Sequence, residues 1–224
     1  HFDKAYELET ELKAREKTKL LEIVQNIVPS NVTCVYVRQS EALGLGHAIL
    51  CAKQLNSNEA FAVILADDLI QAKPGVLSQM FDIYKTHGHS VIGIQNIARS
   101  ETSKYGVIDA SFIDERLYKL NSIVEKPKPA DAPSTLAVAG RYVLSPAIFE
   151  ELENVGPGAG GEIQLTDGIA ALLKIEPVLG LEFVGKRYDC GSKLGYLQAT
   201  VEYALQHADL DRPFREYLKS IKLS

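Results

Sequence analysis

Aspartates that follow two predicted strands could together bind a divalent cation. Asp67 and Asp68 come directly after the apolar run at residues 61–65, and Asp189 comes after a second predicted strand, residues 178–184. Ligands of open α/β sheets bind outside the carboxyl ends of the strands, so we expect Asp67 and Asp189 to meet there and hold Mg²⁺. Asp68 should point elsewhere, because adjacent side chains diverge. The alternative is that these are ordinary turn or helix-capping aspartates.

The tripeptide Glu125-Lys126-Pro127 could place a positive charge against phosphate, and it follows a predicted strand that ends at residue 124. Proline pushes the residue before it towards an extended backbone, so we expect Lys126 to be held in one extended conformation. Its ammonium is a compact point charge that suits phosphate. The alternative is a solvated surface salt bridge between Glu125 and Lys126.

Two glycine-containing segments precede predicted helices. Gly44-Leu45-Gly46 precedes a helix over residues 47–55, and the glycine-rich loop 156–161 precedes Glu162 and a helix over residues 162–173. Glycine lets the backbone approach a ligand closely, so either segment could line a binding pocket. The alternatives are a simple strand-to-helix turn for the first segment and an ordinary flexible loop for the second.

Lys193 follows Asp189 closely and begins a predicted helix over residues 193–207. Its charge and the dipole at a helix start both favour an anion. Taken together, the candidate residues would form a cation site, a phosphate-binding lysine and glycine-lined pockets, without a serine or cysteine triad. This set indicates phosphoryl or nucleotidyl transfer rather than hydrolysis through a covalent intermediate.

The composition is that of a folded globular protein and excludes several partners. The 224 residues are 46% hydrophobic and 24% charged, with a net charge of −5. Binding to nucleic acid or to an anionic membrane surface requires a basic face, and no apolar run approaches the ~20 residues of a membrane span. We therefore expect neither nucleic acid nor a membrane as partner. The three cysteines, Cys34, Cys51 and Cys190, form no C-x-x-C pair, which favours a reducing, cytoplasmic compartment.

The predicted secondary structure would position these residues on an α/β fold. Strands and helices alternate between residues 32 and 96, which predicts β-α-β crossovers and a mainly parallel sheet, with residues 61–65 as a strand buried on both faces. No linker divides the chain, so we expect one domain over residues 1–224. The other predicted strands lie at residues 32–37, 90–96, 106–124 and 136–143, and the other predicted helices at residues 2–27, 74–86 and 211–221.

Five ordered motifs carry a resemblance to a known family. The motifs are Gln39 with Gly44-Leu45-Gly46-His47-Ala48, Glu125-Lys126-Pro127, Ala139-Gly140-Arg141-Tyr142, Gly161-Glu162-Ile163-Gln164-Leu165-Thr166-Asp167 and Asp189-Cys190-Gly191-Ser192-Lys193-Leu194-Gly195-Tyr196. With them the chain resembles the bacterial UTP–glucose-1-phosphate uridylyltransferases, from its first residue to about residue 217.

The resemblance implies a fold, a reaction and partners. The fold is a Rossmann-like nucleotidyltransferase fold with a mixed, mostly parallel sheet flanked by helices. The reaction converts UTP and glucose 1-phosphate into UDP-glucose and pyrophosphate with Mg²⁺, by direct in-line displacement without a protein nucleophile. The resemblance also implies a homo-oligomer, either a dimer or a tetramer.

The resemblance also implies roles for individual residues. Gln39 and the backbone of Gly44 would contact uracil. Asp67 and Asp189 would hold Mg²⁺, and Lys126 would bind the phosphates. Gly106 and Glu125 would bind glucose hydroxyls. The remaining substrate-binding positions implied by the motifs are Gly140, Glu162 and Lys193.

The chain departs from the family pattern in two places. Ala66 precedes Asp67 where the family often has proline. The family also begins with a strand and a glycine-rich triphosphate loop of the type L-A-A-G-x-G-T-R, which the 224 residues do not contain. We therefore expect these 224 residues alone to be inactive. Two alternatives stay open: a thymidylyltransferase or other sugar-1-phosphate nucleotidyltransferase, and a non-catalytic relative that binds sugar nucleotides.

Overall fold

The computed structural model describes residues 2–222, apart from the side chain of Ala159. Contacts within the chain divide it into two compact units, His1–Ser40 and Glu41–Ser224. Each unit is described by itself. The expected single domain over residues 1–224 stays a prediction.

The first unit contains two helices, α1 (Tyr6–Ala14) and α2 (Thr18–Gln25). The prediction of one helix over residues 2–27 is therefore wrong. Glu16 between them has φ 54°, in the left-handed region that a right-handed helix cannot include. The backbone N–H of Lys17 donates to Leu12 O at 2.9 Å and closes the end of α1.

The predicted strand at residues 32–37 is also wrong. This β-branched segment forms no strand, and no strand of residues 2–222 pairs with it. Val35 and Tyr36 are 59% and 63% exposed. β-branched residues favour strands because their side chains pack well on a half-buried pleated surface. Since this segment pairs with no described strand, its side chains have no such surface to pack on.

A six-stranded mixed sheet forms the centre of the second unit, in the order β1-β6-β3-β7-β5-β4. The strands predicted from β-branched and apolar runs over residues 90–96, 106–124 and 136–143 are confirmed, the second as a hairpin of two strands. The sheet contains β1 (Phe61–Ile64), β3 (Ser90–Asn96), β4 (Gly106–Asp114), β5 (Leu117–Glu125), β6 (Leu136–Leu144) and β7 (Val178–Glu182).

The sheet is mixed, as expected, but the expected parallel majority is not found among the described strands. The pairing of β3 with β7 is parallel, and the other pairings in the described sheet are antiparallel. The strand predicted at residues 61–65 is found as β1, but it is neither parallel nor buried on both faces. It runs antiparallel to β6, with Val63 opposite Tyr142, and Ile64 is 54% exposed. A short apolar run indicates burial but does not set strand direction.

Helices cover both faces of this sheet. Successive side chains of β3 point to opposite faces, so Ile92 packs in one apolar cluster and Val91 in another. The first cluster includes α3 (Leu45–Cys51), α5 (Ala147–Asn154) and α6 (Leu165–Leu172), and the second includes α4 (Val76–His87).

A separate two-stranded antiparallel ribbon was not predicted. It consists of β2 (Asp68–Gln71) and β8 (Lys186–Asp189), and α7 (Lys193–Ala204) and α8 (Asp211–Ser220) follow it. Short 3₁₀ turns lie at Lys53–Leu55, Arg99–Lys104 and Ala159–Gly161. In the described part of the chain, no helix is both long and apolar enough to cross a membrane.

Candidate active site

The β2–β8 ribbon brings together two sequence segments that lie far apart in the chain. Asp68 at the start of β2 lies opposite Asp189 at the end of β8. The backbone N–H of Cys190 donates to Asp67 O at 2.8 Å and fixes the two segments beyond the ribbon. The spacing between Asp67 and Asp189 is therefore set by main-chain hydrogen bonds.

The carboxylates of Asp67 and Asp189 lie side by side. A Cβ atom added to Gly191 would lie 3.0 Å from Asp67 Oδ2 and 3.1 Å from Asp189 Oδ1, so these oxygens are at most about 6 Å apart. Asp67 is exposed and Asp189 is half-buried. The two carboxylates therefore converge beside Gly191.

Asp68 has different surroundings from its neighbour. It is buried, and its Oδ1 accepts a hydrogen bond from Nε of Arg187 at 2.5 Å. Burial raises the pKa of Asp68, although the hydrogen bond and charge of Arg187 act in the opposite direction. Since Asp68 pairs with a buried guanidinium, it points away from the place where Asp67 and Asp189 meet.

Arg141 holds the turn that carries Asp67. Its guanidinium donates to Leu65 O at 3.1 Å and to Asp68 O at 2.5 Å, so it binds both ends of the turn. Gly140 precedes it with φ 50°, and a Cβ there would lie 2.1 Å from Asp68 Oδ2. The structure thus places Gly140 against Asp68, where only glycine fits.

Tyr105 connects Arg187 to Asp189. Its hydroxyl donates to Asp189 Oδ2 at 2.7 Å, and the Arg187 guanidinium carbon lies 4.7 Å from the centroid of its ring. Burial, with the hydrogen bond to Asp189, raises the pKa of Tyr105 to about 12, so the hydroxyl stays protonated at neutral pH. The phenol therefore acts as a hydrogen-bond donor to this carboxylate.

A cavity of about 350 Å³ opens beside these groups. Seven of the candidate residues from the sequence line it: Asp67, Gly106, Glu125, Lys126, Gly140, Glu162 and Asp189. Tyr142 and Thr166, which stand in the motifs without an assigned role, also line it, as do Arg187 and Tyr105, which the sequence did not indicate. The cavity walls are mostly polar and carry both charges.

Glu125 and Lys126 meet at the cavity. Lys126 Nζ lies 3.2 Å from Glu125 Oε1, and the Lys126 side chain is 58% exposed while that of Glu125 is 19% exposed. The second Glu125 oxygen, Oε2, accepts a hydrogen bond from the hydroxyl of Thr166 at 3.1 Å. The Glu125 carboxylate is thus held at both oxygens, while more than half of the Lys126 side chain is exposed to solvent.

The expected extended conformation of Lys126 is wrong, because its φ is 46°. The backbone N–H of Lys126 donates to Tyr105 O at 3.1 Å, and this contact turns the chain at the end of β5. The backbone conformation at Lys126 is therefore set by the hydrogen bond to Tyr105 rather than by Pro127.

The first glycine segment packs directly on the Glu162 motif. Gly46 N–H donates to Ile163 O at 2.9 Å, and Ile163 N–H donates to Leu43 O at 2.8 Å. These bonds hold residues 162–164 extended, so α6 begins at Leu165 rather than at residue 162 as predicted. Gly44 has φ 94°, and a Cβ there would lie 2.8 Å from the Cβ of Glu162. The glycine therefore permits close approach of the two motifs.

Three of the candidate residues do not line the cavity. Gly44 packs behind it on the Glu162 motif. Lys193 is exposed at the start of α7, where Ser192 caps the helix. Gln39 belongs to the first unit, and its role stays a prediction. Arg187 and Tyr105 were missed because neither stands in a motif that indicates ligand binding.

The donor set fits a magnesium ion that also binds substrate. Within residues 2–222, no group of three or more His, Cys, Asp or Glu side chains is arranged to hold a metal. Mg²⁺ is commonly bound by one or two carboxylates together with substrate phosphates and water. Asp67 and Asp189 supply that number of carboxylates, at the edge of a cavity large enough for a substrate.

Known proteins share the sequence and the fold of this chain. The family model described as "Nucleotidyl transferase" matches residues 4–206. A UTP–glucose-1-phosphate uridylyltransferase from Staphylococcus epidermidis is 45% identical over 224 residues, which cover 100% of this chain and 77% of the relative.

Solved structures of similar sequence have the same fold. A UDP-glucose pyrophosphorylase complexed with UDP-glucose matches with a TM-score of 0.80 and 44% identity over 86% of this chain and 74% of that one. A UTP-bound enzyme from Acinetobacter baumannii matches with a TM-score of 0.89 and 38% identity over 99% of this chain and 77% of that one. These findings confirm the expected α/β nucleotidyltransferase fold and show that the chain belongs to the nucleotidyl transferase family, among the UTP–glucose-1-phosphate uridylyltransferases.

Proposed function

We propose that the protein forms UDP-glucose and pyrophosphate from UTP and glucose 1-phosphate, with Asp67, Asp189, Glu125 and Lys126 in the active site. The observation that carries this proposal is the cavity that Asp67 and Asp189 share with Glu125 and Lys126. A pair of carboxylates can hold a cation that also binds phosphates, and a lysine can bind the phosphates directly. A fixed carboxylate such as Glu125 can accept hydrogen bonds from sugar hydroxyls.

The chemistry requires positioning and charge stabilisation rather than a protein nucleophile. A phosphate oxygen of glucose 1-phosphate attacks the α-phosphorus of UTP, and the bond from that phosphorus to the bridging oxygen of pyrophosphate breaks. Glu125 would orient the sugar, and Lys126 would stabilise the charge that develops on the phosphates. Charge stabilisation of this kind is the main contribution a protein makes to phosphoryl and nucleotidyl transfer.

Asp67 and Asp189 are the residues proposed to hold Mg²⁺. When bound, the ion would neutralise phosphate charge and help to orient the reacting groups. The two carboxylates are suited to this role because one is exposed and the other is fixed by Tyr105 and by the amide of Gly191.

The test is an assay of the complete gene product in both directions. We expect UDP-glucose and pyrophosphate to form from UTP, glucose 1-phosphate and Mg²⁺, and the reverse reaction to release UTP. Chelation with EDTA should abolish turnover. Running the same assay with dTTP separates a uridylyltransferase from a thymidylyltransferase, since higher kcat/KM with dTTP would contradict the proposal.

Two further properties are proposed, a cytoplasmic location and a homo-oligomeric state. The described cysteines Cys34, Cys51 and Cys190 are free thiols, which supports a cytoplasmic location. Family resemblance supports a homo-oligomer. Light scattering of the purified protein measures the second property, and a single monomeric species at micromolar concentration would contradict it.

A further inference from the structure

Four side chains that line the cavity form a connected polar row. Asp68 pairs with Arg187, Arg187 stacks on Tyr105, and Tyr105 donates to Asp189. Only the last of these four is a candidate metal ligand. We infer that Tyr105, held by Arg187, is a positioning residue that orients the Asp189 carboxylate towards the cation. This inference rests on the proposed function of Asp189.

The two oxygens of Asp189 have different partners. Oδ2 accepts the hydrogen bond of the Tyr105 hydroxyl at 2.7 Å. Oδ1 accepts the backbone N–H of Gly191 at 3.1 Å and lies beside Gly191, as Asp67 Oδ2 does. A carboxylate held at both oxygens cannot rotate freely. Tyr105 therefore keeps Oδ1, rather than Oδ2, on the side of Asp67.

Tyr105 is itself held from three directions. Its backbone N–H donates to Thr102 O at 3.3 Å, and its carbonyl accepts the N–H of Lys126 at 3.1 Å. Its ring faces the Arg187 guanidinium at 4.7 Å. The Arg187 side chain is only 9% exposed, so its positive charge requires a negatively charged partner close by.

Asp68 supplies that balance. Its Oδ1 lies 2.5 Å from Arg187 Nε, and its own side chain is 7% exposed. Without this carboxylate, an uncompensated guanidinium would stand beside the proposed Mg²⁺ site and repel the cation. Asp68 thus contributes to cation binding as a counter-charge, although it is not a ligand.

The experiment measures Mn²⁺ binding by electron paramagnetic resonance in the complete gene product saturated with UDP-glucose. Tyr105→Phe keeps the ring on Arg187 and removes only the hydroxyl. We expect this variant to bind Mn²⁺ about 10–100-fold more weakly, which is the usual effect of losing an outer-shell partner. Its Mg²⁺ half-saturation in turnover should rise in parallel, while KM for glucose 1-phosphate stays unchanged.

Two further variants make the result decisive. Tyr118→Phe is the matched control, because its hydroxyl also donates to a carboxylate, that of Glu182 at 3.3 Å, but lies outside the cavity lining. It should bind Mn²⁺ as wild type does. Asp189→Asn should lose Mn²⁺ binding at this site.

The outcomes separate this inference from the proposed function. Normal Mn²⁺ binding by Tyr105→Phe, with Asp189→Asn impaired, overturns the positioning role and leaves the metal site intact. Normal binding by Asp189→Asn overturns the metal site and the positioning role together. Absence of UDP-glucose formation by wild type overturns the proposed reaction, whatever the Mn²⁺ data show.

Discussion

Asp189 lies opposite Asp68 in the β2–β8 ribbon, but the carboxylate beside it at Gly191 is that of Asp67. The two adjacent aspartates therefore have separate surroundings. Asp68 is buried against Arg187, and Asp67 is exposed at the cavity. Substitution of Asp68 should consequently lower the stability of the fold, whereas substitution of Asp67 should weaken metal binding with little effect on stability.

Asp68→Asn should lower the free energy of unfolding by about 3–5 kcal/mol, because it leaves the Arg187 guanidinium buried without its counter-charge. Asp67→Asn should change stability by no more than ~0.5 kcal/mol, as expected for an exposed side chain, but should weaken Mn²⁺ binding. Urea denaturation measures the first quantity and Mn²⁺ titration the second. Equal loss of stability in both variants would contradict the assignment of Asp68 to a buried ion pair and of Asp67 to the metal site.

Gly140→Ala should destabilise the fold by at least about 2 kcal/mol, because alanine is strained at positive φ and overpacks the site. The new Cβ would lie 2.1 Å from Asp68 Oδ2, so it would also disturb the Asp68–Arg187 pair. Gly75→Ala is the matched control, since a Cβ at Gly75 meets no atom within 4 Å and its φ is −57°. Thermal unfolding of both variants gives the comparison. A stable Gly140→Ala protein would show that the backbone can relax there.

Lys126→Ala should reduce kcat by about 10²–10³-fold if the ammonium stabilises charge in the transition state. Lys126→Arg should restore only part of the activity, because a planar guanidinium does not reproduce the compact point charge of an ammonium. The measurement is steady-state kinetics with UTP and glucose 1-phosphate.

The control for this prediction is Lys85→Ala, which removes another exposed lysine of an ion pair, 3.8 Å from Asp82 on α4. It should leave kcat unchanged. If Lys126→Ala also keeps wild-type kcat, Lys126 is merely the exposed partner of Glu125 and has no place in the reaction.

Glu202 should make stability depend on pH in the acid range. Hydrogen bonds from Lys186 and Tyr188 hold the pKa of Glu202 below its ordinary value of 4.5. A lowered folded-state pKa adds stability above about 4.5, and this contribution is lost as the pH falls through the folded value. Wild type should therefore exceed Glu202→Gln in stability at pH 7, and the difference should shrink below pH 4.5.

Denaturant unfolding at several pH values checks this prediction. Glu59→Gln, at an exposed glutamate before β1, is the control and should follow wild type at every pH. A difference between wild type and Glu202→Gln that stays constant from pH 7 to pH 3 would show that ionisation of Glu202 is not its cause.

The central sheet was largely predictable from the sequence, because its strands are apolar or alternating and their side chains are buried. β3 follows this rule from Ser90 to Ile94, where every residue is buried. The β2–β8 ribbon was not predictable in the same way. Its strands have four residues each and lie far apart in the chain, and their charged sequences carry no periodic signal.

The candidate site was predictable only where residue type and position agreed. Asp67 and Asp189 could be placed by their location after strands, as could Glu125 and Lys126. Arg187 and Tyr105 could not, because their importance comes from contacts across long sequence separations. The backbone of Lys126 was misjudged because a tertiary hydrogen bond to Tyr105 overrides the local preference before proline.

The hydrogen bond from the Cys190 N–H to Asp67 O has a consequence for mutational tolerance. The atom that ties the two aspartate segments together belongs to the main chain, and every amino acid except proline can supply it. Cys190 lines a surface depression with Tyr196 and Leu197 and is not among the residues that line the cavity. Serine or alanine at position 190 would keep the hydrogen bond between the two aspartate segments, whereas proline would remove it.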